Sequence, residues 1–294
     1  METLSSLVQK LTFEKMQAEW MRNFAVNMPQ ILKGKDIKDL PKLNGRPCLV
    51  IGAGPSISRF HQLEVLAKSK WTHPVICADK MVISLLKRKI KPFAVCSVDG
   101  EAVVSKFYNS SIVDANRDFV RAVLCANTVH PEVLKRCPLE KYFFLALWDN
   151  PLNPTSLTRA FHLMTGKTML ETYGNAGSCA FSIAYYLGCS NIGLVGLDYS
   201  YYTNDIKKTT YYESLKTLSG GNMAKLLSFY KRTKTWAGYE VLTDIYWLTY
   251  LQMFLPALER AKAEIYNLSP LSIIASERVK GMHLKEFLER FNRD

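Results

Sequence analysis

Apolar residues recur at helical spacing from Leu4 to Leu32, at Leu7, Leu11, Phe13, Met16, Trp20, Phe24, Met28 and Ile31, with one proline and no glycine. This spacing predicts one or two helices ahead of the main domain. After a short polar and basic segment, Lys33 to Arg46, the pattern changes. Pro47 to Gly52 is a compact apolar run that stops at glycine, the mark of a strand buried on both faces. Similar runs follow at Pro74–Asp79, Phe93–Asp99, Val120–Ala126, Tyr142–Leu147, Ile192–Asp198 and Glu264–Leu268. Between them, Ile57–Ser69, Lys80–Lys89 and Cys179–Leu187 have helical periodicity. Alternation of buried strands with helices predicts an α/β fold: a Rossmann-like, mainly parallel sheet flanked by helices. The expected organisation is an N-terminal helical extension over 1–46, a Rossmann-like domain over 47–294, and a lid or insertion at 199–239, where the pattern turns polar and rich in Lys, Thr and Tyr.

In such sheets ligands bind beyond the carboxyl ends of the strands. Those ends carry Gly52, Asp79, Asp99, Asn127, Asp149 and Asp198. Gly52-Ala53-Gly54-Pro55-Ser56 lies between a strand and a helix, where backbone N–H groups of a glycine loop can approach a phosphate. An ordinary tight turn would use the same residues, and Ile57 stands where the dinucleotide fingerprint has its third glycine. A second helix start, Gly174-Asn175-Ala176-Gly177-Ser178, reads equally as a phosphate site or as simple capping by Asn175 or Ser178. Asp99-Gly100-Glu101 suits a hydrated Mg²⁺, a ribose hydroxyl or a general base, and a solvated turn equally well. Among five histidines without metal spacing, His130, just past a strand end, is the candidate for proton transfer.

Composition narrows the classes. With 48% hydrophobic and 22% charged residues the chain can bury a large core, which excludes intrinsic disorder. No apolar run reaches the roughly 18 residues that a membrane span needs, and no signal sequence is visible, so a cytoplasmic location is expected. Seven scattered cysteines without a C-x-x-C pair argue for buried thiols rather than zinc or disulfides. The formal charge of +12 implies attraction to polyanions, whether phosphorylated small molecules, nucleic acid or an anionic surface. Neither a Walker A lysine nor a G-x-S-x-G elbow is present.

Taken in order, the Gly52–Ser56 loop, Asp79, Lys91-Pro92, Ser97-Val98-Asp99, Gly174-Asn175 through Gly188 and Gly196-Leu197-Asp198 resemble the superfamily of motility accessory factors and 6-hydroxymethylpterin diphosphokinase MptE-like proteins, over roughly Pro47 to Leu288. Gly174–Tyr202, Trp236–Tyr239, Thr243-Asp244-Ile245 and Asn267–Ser272 are also similar to bacterial sialyltransferases. That resemblance implies a transferase using a CMP-linked nonulosonate donor and no required cofactor. Gly52, Gly54, Pro55, Ser56, Asp79, Gly174, Asn175, Asp198, Ser269 and Ser272 would hold the nucleotide. Tyr201, Tyr202, Tyr211 and Tyr212 are the candidates to contact the departing phosphate. Where the sialyltransferase pattern has Gly-His, this chain has Gly238-Tyr239, so the implied catalytic set is His130, Asp99, Tyr239 and Tyr211. An unperturbed phenol is a poor base at neutral pH.

The diphosphokinase branch of the resemblance implies instead ATP and Mg²⁺, with Asp99 and Glu101 as metal ligands, although its His-Gly-Asp-Asn signature is replaced by Asn127-Thr128-Val129-His130. A third reading, a silent nucleotide- or RNA-binding module, follows from the missing histidine and the positive charge. Expected partners are a nucleotide-activated small-molecule donor, CMP-sugar or ATP, and an acceptor the sequence does not identify. Homo-oligomerisation stays open.

Overall fold

The computed structural model describes residues 4–292, with side chains from Phe13 onward except Lys15; the apolar side chains of Leu7 and Leu11 lie outside the described residues. The strands are β1 (Lys35–Asp36), β2 (Cys48–Ile51), β3 (Val75–Ala78), β4 (Ala94–Ser97), β5 (Ala122–Ala126), β6 (Lys141–Ala146), β7 (Met169–Leu170), β8 (Asn191–Val195), β9 (Tyr230–Lys234), β10 (Glu240–Asp244), β11 (Glu264–Asn267) and β12 (Val279–Gly281). The α-helices are α1 (Leu4–Lys33), α2 (Ser56–Arg59), α3 (Gln62–Lys68), α4 (Val82–Lys87), α5 (Ser111–Ala115), α6 (Pro131–Arg136), α7 (Leu157–Thr165), α8 (Ala176–Tyr186), α9 (Tyr212–Leu218), α10 (Met223–Ser228), α11 (Ile245–Arg260) and α12 (Leu284–Phe291).

A 10-stranded sheet runs in the order β1-β6-β5-β4-β3-β2-β8-β11-β12, with β7 also on β6, and its pairs are parallel. All seven runs read as strands are in it. Successive residues of each strand point to opposite faces. Leu49 and Ile51 therefore join a layer with Phe24 and Ile31 of α1, Leu63 and Leu66 of α3, Val82 and Leu85 of α4, and Phe287 of α12. Cys48 and Val50 join the opposite layer with Cys179, Phe181 and Ile183 of α8 and Leu251, Phe254 and Leu258 of α11. All seven cysteines are buried and free. Among the described residues no helix is long and apolar enough to cross a membrane.

Three elements depart from the sequence pattern. Ile57–Ser69 forms two helices, because the chain turns through a left-handed His61 (φ 48) after the Phe60 N–H has closed the end of α2. Lys33 to Arg46, polar in sequence, supplies an edge strand at Lys35–Asp36 and buries Ile37, Leu40 and Leu43. The polar stretch around Tyr230 is a β-hairpin, β9 paired antiparallel with β10, and Leu215, Leu226, Phe229 and Ile245 form a small core beside it.

Helix α1 is one continuous helix and is fastened by two buried amides. Asn23 Nδ2 donates to Gly100 O (3.0 Å) and Thr128 O (3.1 Å), and Asn27 Nδ2 donates to Val129 O (2.7 Å). These bonds tie α1 to the ends of β4 and β5. Asn23→Ala strips two buried carbonyls of their donor and is expected to cost about 2 kcal/mol, read as a lower midpoint in urea unfolding; an unchanged midpoint would show that α1 is held by apolar packing alone.

Candidate functional site

The chain builds the sheet outward from β2 to β6 and then returns to lay β8 on the other side of β2. Ligand crevices open at such a reversal, beyond the carboxyl ends of the strands. Here a cleft of about 1620 Å³ is lined by Gly52–Pro55 after β2, Asp79 and Lys80 after β3, Val98–Glu101 after β4, Thr128 after β5, Gly174–Gly177 before α8, and Gly196–Tyr201 after β8. Helices α1, α9 and α11 complete its walls with Trp20, Tyr211, Glu213, Tyr246, Trp247 and Tyr250 among others.

The loop after β2 is spent largely on the protein itself. A Cβ at Gly52 would lie 2.5 Å from Gly196 O, and one at Gly54 would lie 2.3 Å from an Asp198 carboxylate oxygen. The glycines are thus required by the close approach of the β2 and β8 loops, whatever the ligand. The Gly54 N–H donates to Gly196 O (2.8 Å), and the N–H and hydroxyl of Ser56 donate to the two oxygens of Asp198, each at 2.7 Å. Asp198 therefore occupies the anion position at the start of α2 that a phosphate would take. Burial pushes the Asp198 carboxyl up to about 6 despite these donors.

The start of α8 is different. Asn175 caps it, its Oδ1 accepting from Ser178 N (3.0 Å) and its Nδ2 donating to Tyr199 OH (3.3 Å). The N–H groups of Ala176 and Gly177, both in the cleft wall, find no acceptor among the described residues. An 11-residue helix thus directs two free donors and the positive end of its dipole into the cleft.

Carboxylates face this cleft in excess. Among the described residues Asp79, Asp99, Glu101, Asp198 and Glu213 line it against a single basic residue, Lys80. Asp79 is 5% exposed; its oxygens accept from Ser97 Oγ (2.9 Å) and Lys80 N (2.8 Å), yet burial, with a contribution from Asp99, pushes its carboxyl up to about 7. Asp99 opens to the cleft, and the protein packed around it, then Glu101 and Glu19, hold its carboxyl above the usual range. By contrast residues 199–239, which contribute α9 to the cleft wall, expose Lys207, Lys208, Lys216, Lys225, Lys231, Arg232 and Lys234.

Residues 22–204 match the profile of the family described as 6-hydroxymethylpterin diphosphokinase MptE-like. The chain belongs to that family. Its fold is also that of the MAf glycosyltransferase from Magnetospirillum magneticum AMB-1, with a TM-score of 0.58 at 15% identity. The match covers 88% of this chain and 37% of that one, so the chain spans little more than a third of that protein's length. No curated protein sequence matches the chain.

The MptE-like cleft gathers Gly52, Gly54, Pro55, Asp79, Asp99, Glu101, Gly174, Asn175, Asp198, Tyr201 and Tyr211 from the sequence-based candidates. It does not gather the others. His130 lies outside the cleft wall, capping α6: its Nδ1 accepts from Glu132 N (3.2 Å) and its own N–H donates to Asp99 O (3.2 Å). Tyr239, in the β9–β10 turn, packs edge-on against Phe60 at 5.4 Å and is also outside the wall. Ser269 accepts from Gly196 N (2.6 Å) and Ser272 donates to Leu197 O (2.8 Å), so both brace the turn after β8, and Ser56 braces Asp198. Tyr211 is held as a neutral phenol by burial, and its ring stacks on Tyr246 at 4.5 Å. This makes Tyr211 a hydrogen-bond donor at neutral pH and unfit as a base.

The aromatic wall of α11 and the Phe13, Trp20 and Trp148 cluster are absent from the sequence reading. A signal existed for α11: Asp244, whose side chain accepts from Trp247 N (3.0 Å), precedes an apolar stretch of helical length. The folded form holds the Asp79 proton more tightly than an unfolded chain, so that contribution is whole below about pH 4 and is lost as pH rises through about 7. Asp79→Asn is therefore expected to melt progressively higher than the unaltered protein between pH 4 and pH 8, in thermal unfolding by circular dichroism. An advantage that does not grow with pH would overturn the buried ionisation.

Proposed function

We propose that this chain is a transferase that binds a nucleotide-activated donor with its phosphate on the Ala176 and Gly177 amides, and that a CMP-linked nonulosonate fits the cleft best. The carrying observation is the pair of donors at the start of α8 that have no partner among the described residues, beside a wall of phenols and with Lys80 in the same wall. Such a wall suits a donor with a single phosphodiester better than a bare triphosphate, whose extra charges would meet five carboxylates. The fold shared with a glycosyltransferase supports the same choice.

In the reaction we envisage, Asp79, which the sequence suggested as a nucleotide contact, takes the proton of an acceptor hydroxyl, its raised pKa lying near neutral pH. The acceptor oxygen bonds to the anomeric carbon, the bond from that carbon to the phosphate oxygen breaks, and its electron pair leaves with CMP. Tyr211 and Tyr250, both kept protonated by burial, donate hydrogen bonds to the phosphate as charge develops on it. Asn175 and α9 position the donor, with α9 acting as the lid.

A second reading, pyrophosphoryl transfer from ATP to a pterin alcohol, is favoured by the family and by the acidic strand ends. Among the described residues no three metal-binding side chains cluster, but Asp99 and Glu101 would supply the one or two carboxylates that Mg²⁺ uses alongside substrate phosphates. Bound there, Mg²⁺ would neutralise charge on the transferring phosphates.

Calorimetry and thermal shift separate the readings. CMP at about a hundred times its Kd is expected to stabilise the protein by about 2.7 kcal/mol without metal, whereas the second reading requires ATP with Mg²⁺ to do so. Ala176→Pro tests the phosphate site. Asn175 is extended (φ −154, ψ 161), as a residue before proline should be, and the first helical position tolerates proline while losing its N–H. The variant should fold normally and bind CMP about tenfold more weakly; unchanged affinity would remove the phosphate from α8.

A further inference from the structure

We propose that the end of the cleft beside α1 is a subsite for a positively charged group, an ammonium or guanidinium, carried by the acceptor. The proposal rests on the transferase reading only in calling that ligand an acceptor. Its basis is the juxtaposition, at one point of the wall, of an indole cluster with carboxylates that form no ion pair among the described residues.

The rings of Trp20 and Trp148 lie 5.4 Å apart with 35° between their planes, and Phe13 meets them edge-on at 6.3 Å and 6.5 Å. A flat ligand ring inserted between two aromatic planes needs a gap of about 7 Å. The indoles are already in contact, so there is no slot between them, and both line the cleft. An aromatic face attracts a cation, and tryptophan attracts it most strongly.

Carboxylates stand at the same place. Asp99 and Glu101 open to the cleft, and Glu19, next to Trp20 on α1, is close enough to act on Asp99 electrostatically. Among the described residues none of the three takes part in an ion pair. The loop that bears the carboxylates is also keyed to the indole: a Cβ at Gly100 would lie 2.9 Å from Trp20 and 3.3 Å from Asn23 Nδ2. Ring and carboxylates are therefore held as one unit. A metal ion would use the acids and leave the rings idle, and a neutral sugar would use the rings and leave the acids uncompensated. A cation on an organic frame uses both.

The test compares glucosamine with N-acetylglucosamine, which share a frame and differ in the charge on nitrogen, by tryptophan fluorescence and calorimetry at matched ionic strength near pH 6.5. Glucosamine should bind about tenfold more tightly, and Trp20→Leu and Glu101→Gln should each reduce that preference while unfolding cooperatively. Equal affinities overturn the proposal, as does a preference untouched in both variants. Strong competition by Mg²⁺ with no ring dependence also overturns it, in favour of a metal site. Amine preference without CMP binding would sink the donor reading alone, and CMP binding without amine preference would sink this inference alone.

Discussion

The carboxylate of Asp198, gripped by the backbone N–H and hydroxyl of Ser56, joins the two halves of the sheet where the chain reverses direction. Because β2 and β8 belong to different halves, their loops must meet without side chains between them, and Gly52, Gly54 and Gly196 permit this. Ser269, Ser272 and Leu271 then brace the junction from β11. An ionisable group at such a joint costs stability, as its raised pKa records. In exchange the floor of the cleft is held at fixed geometry, with the start of α8 facing it.

The remaining walls come from elements far apart in sequence. Helix α1 enters from one side, pinned by Asn23 and Asn27, and α11 from the other, where Tyr250 packs so closely on Gly174 that a Cβ there would lie 2.3 Å from its ring. Both helices touch each other as well. Residues before β2 are in this way part of the cleft wall as well as of the core.

The sheet was legible because strands buried on both faces leave continuous apolar runs, and all seven such runs are strands. The carboxyl-end residues Gly52, Asp79, Asp99 and Asp198 were legible for the same reason: they end those runs and line the cleft. What escaped was whatever depends on contact between distant segments. Nothing local distinguishes a serine that braces a turn, such as Ser269, from one that meets a ligand. A histidine after a strand end looks the same whether it caps a helix, as His130 does, or faces a substrate. Lys35–Asp36 is too short and polar to announce a strand, and it forms one only because β6 offers an open edge. The Trp20–Trp148 contact joins residues 128 positions apart and has no signature in either stretch.

Residues 199–239 carry seven lysines and arginines against two acidic residues, while the cleft they help to wall is lined with carboxylates. The molecule therefore presents opposite fields at long and short range. An approaching anion would meet the basic residues of 199–239 first, through a potential that salt screens over about 10 Å at 0.1 M. On the proposed reading it would then be held by fixed amides that salt scarcely touches. On that reading arrival and residence would be set by different parts of the chain, and ionic strength would govern the on-rate far more than the lifetime of the complex.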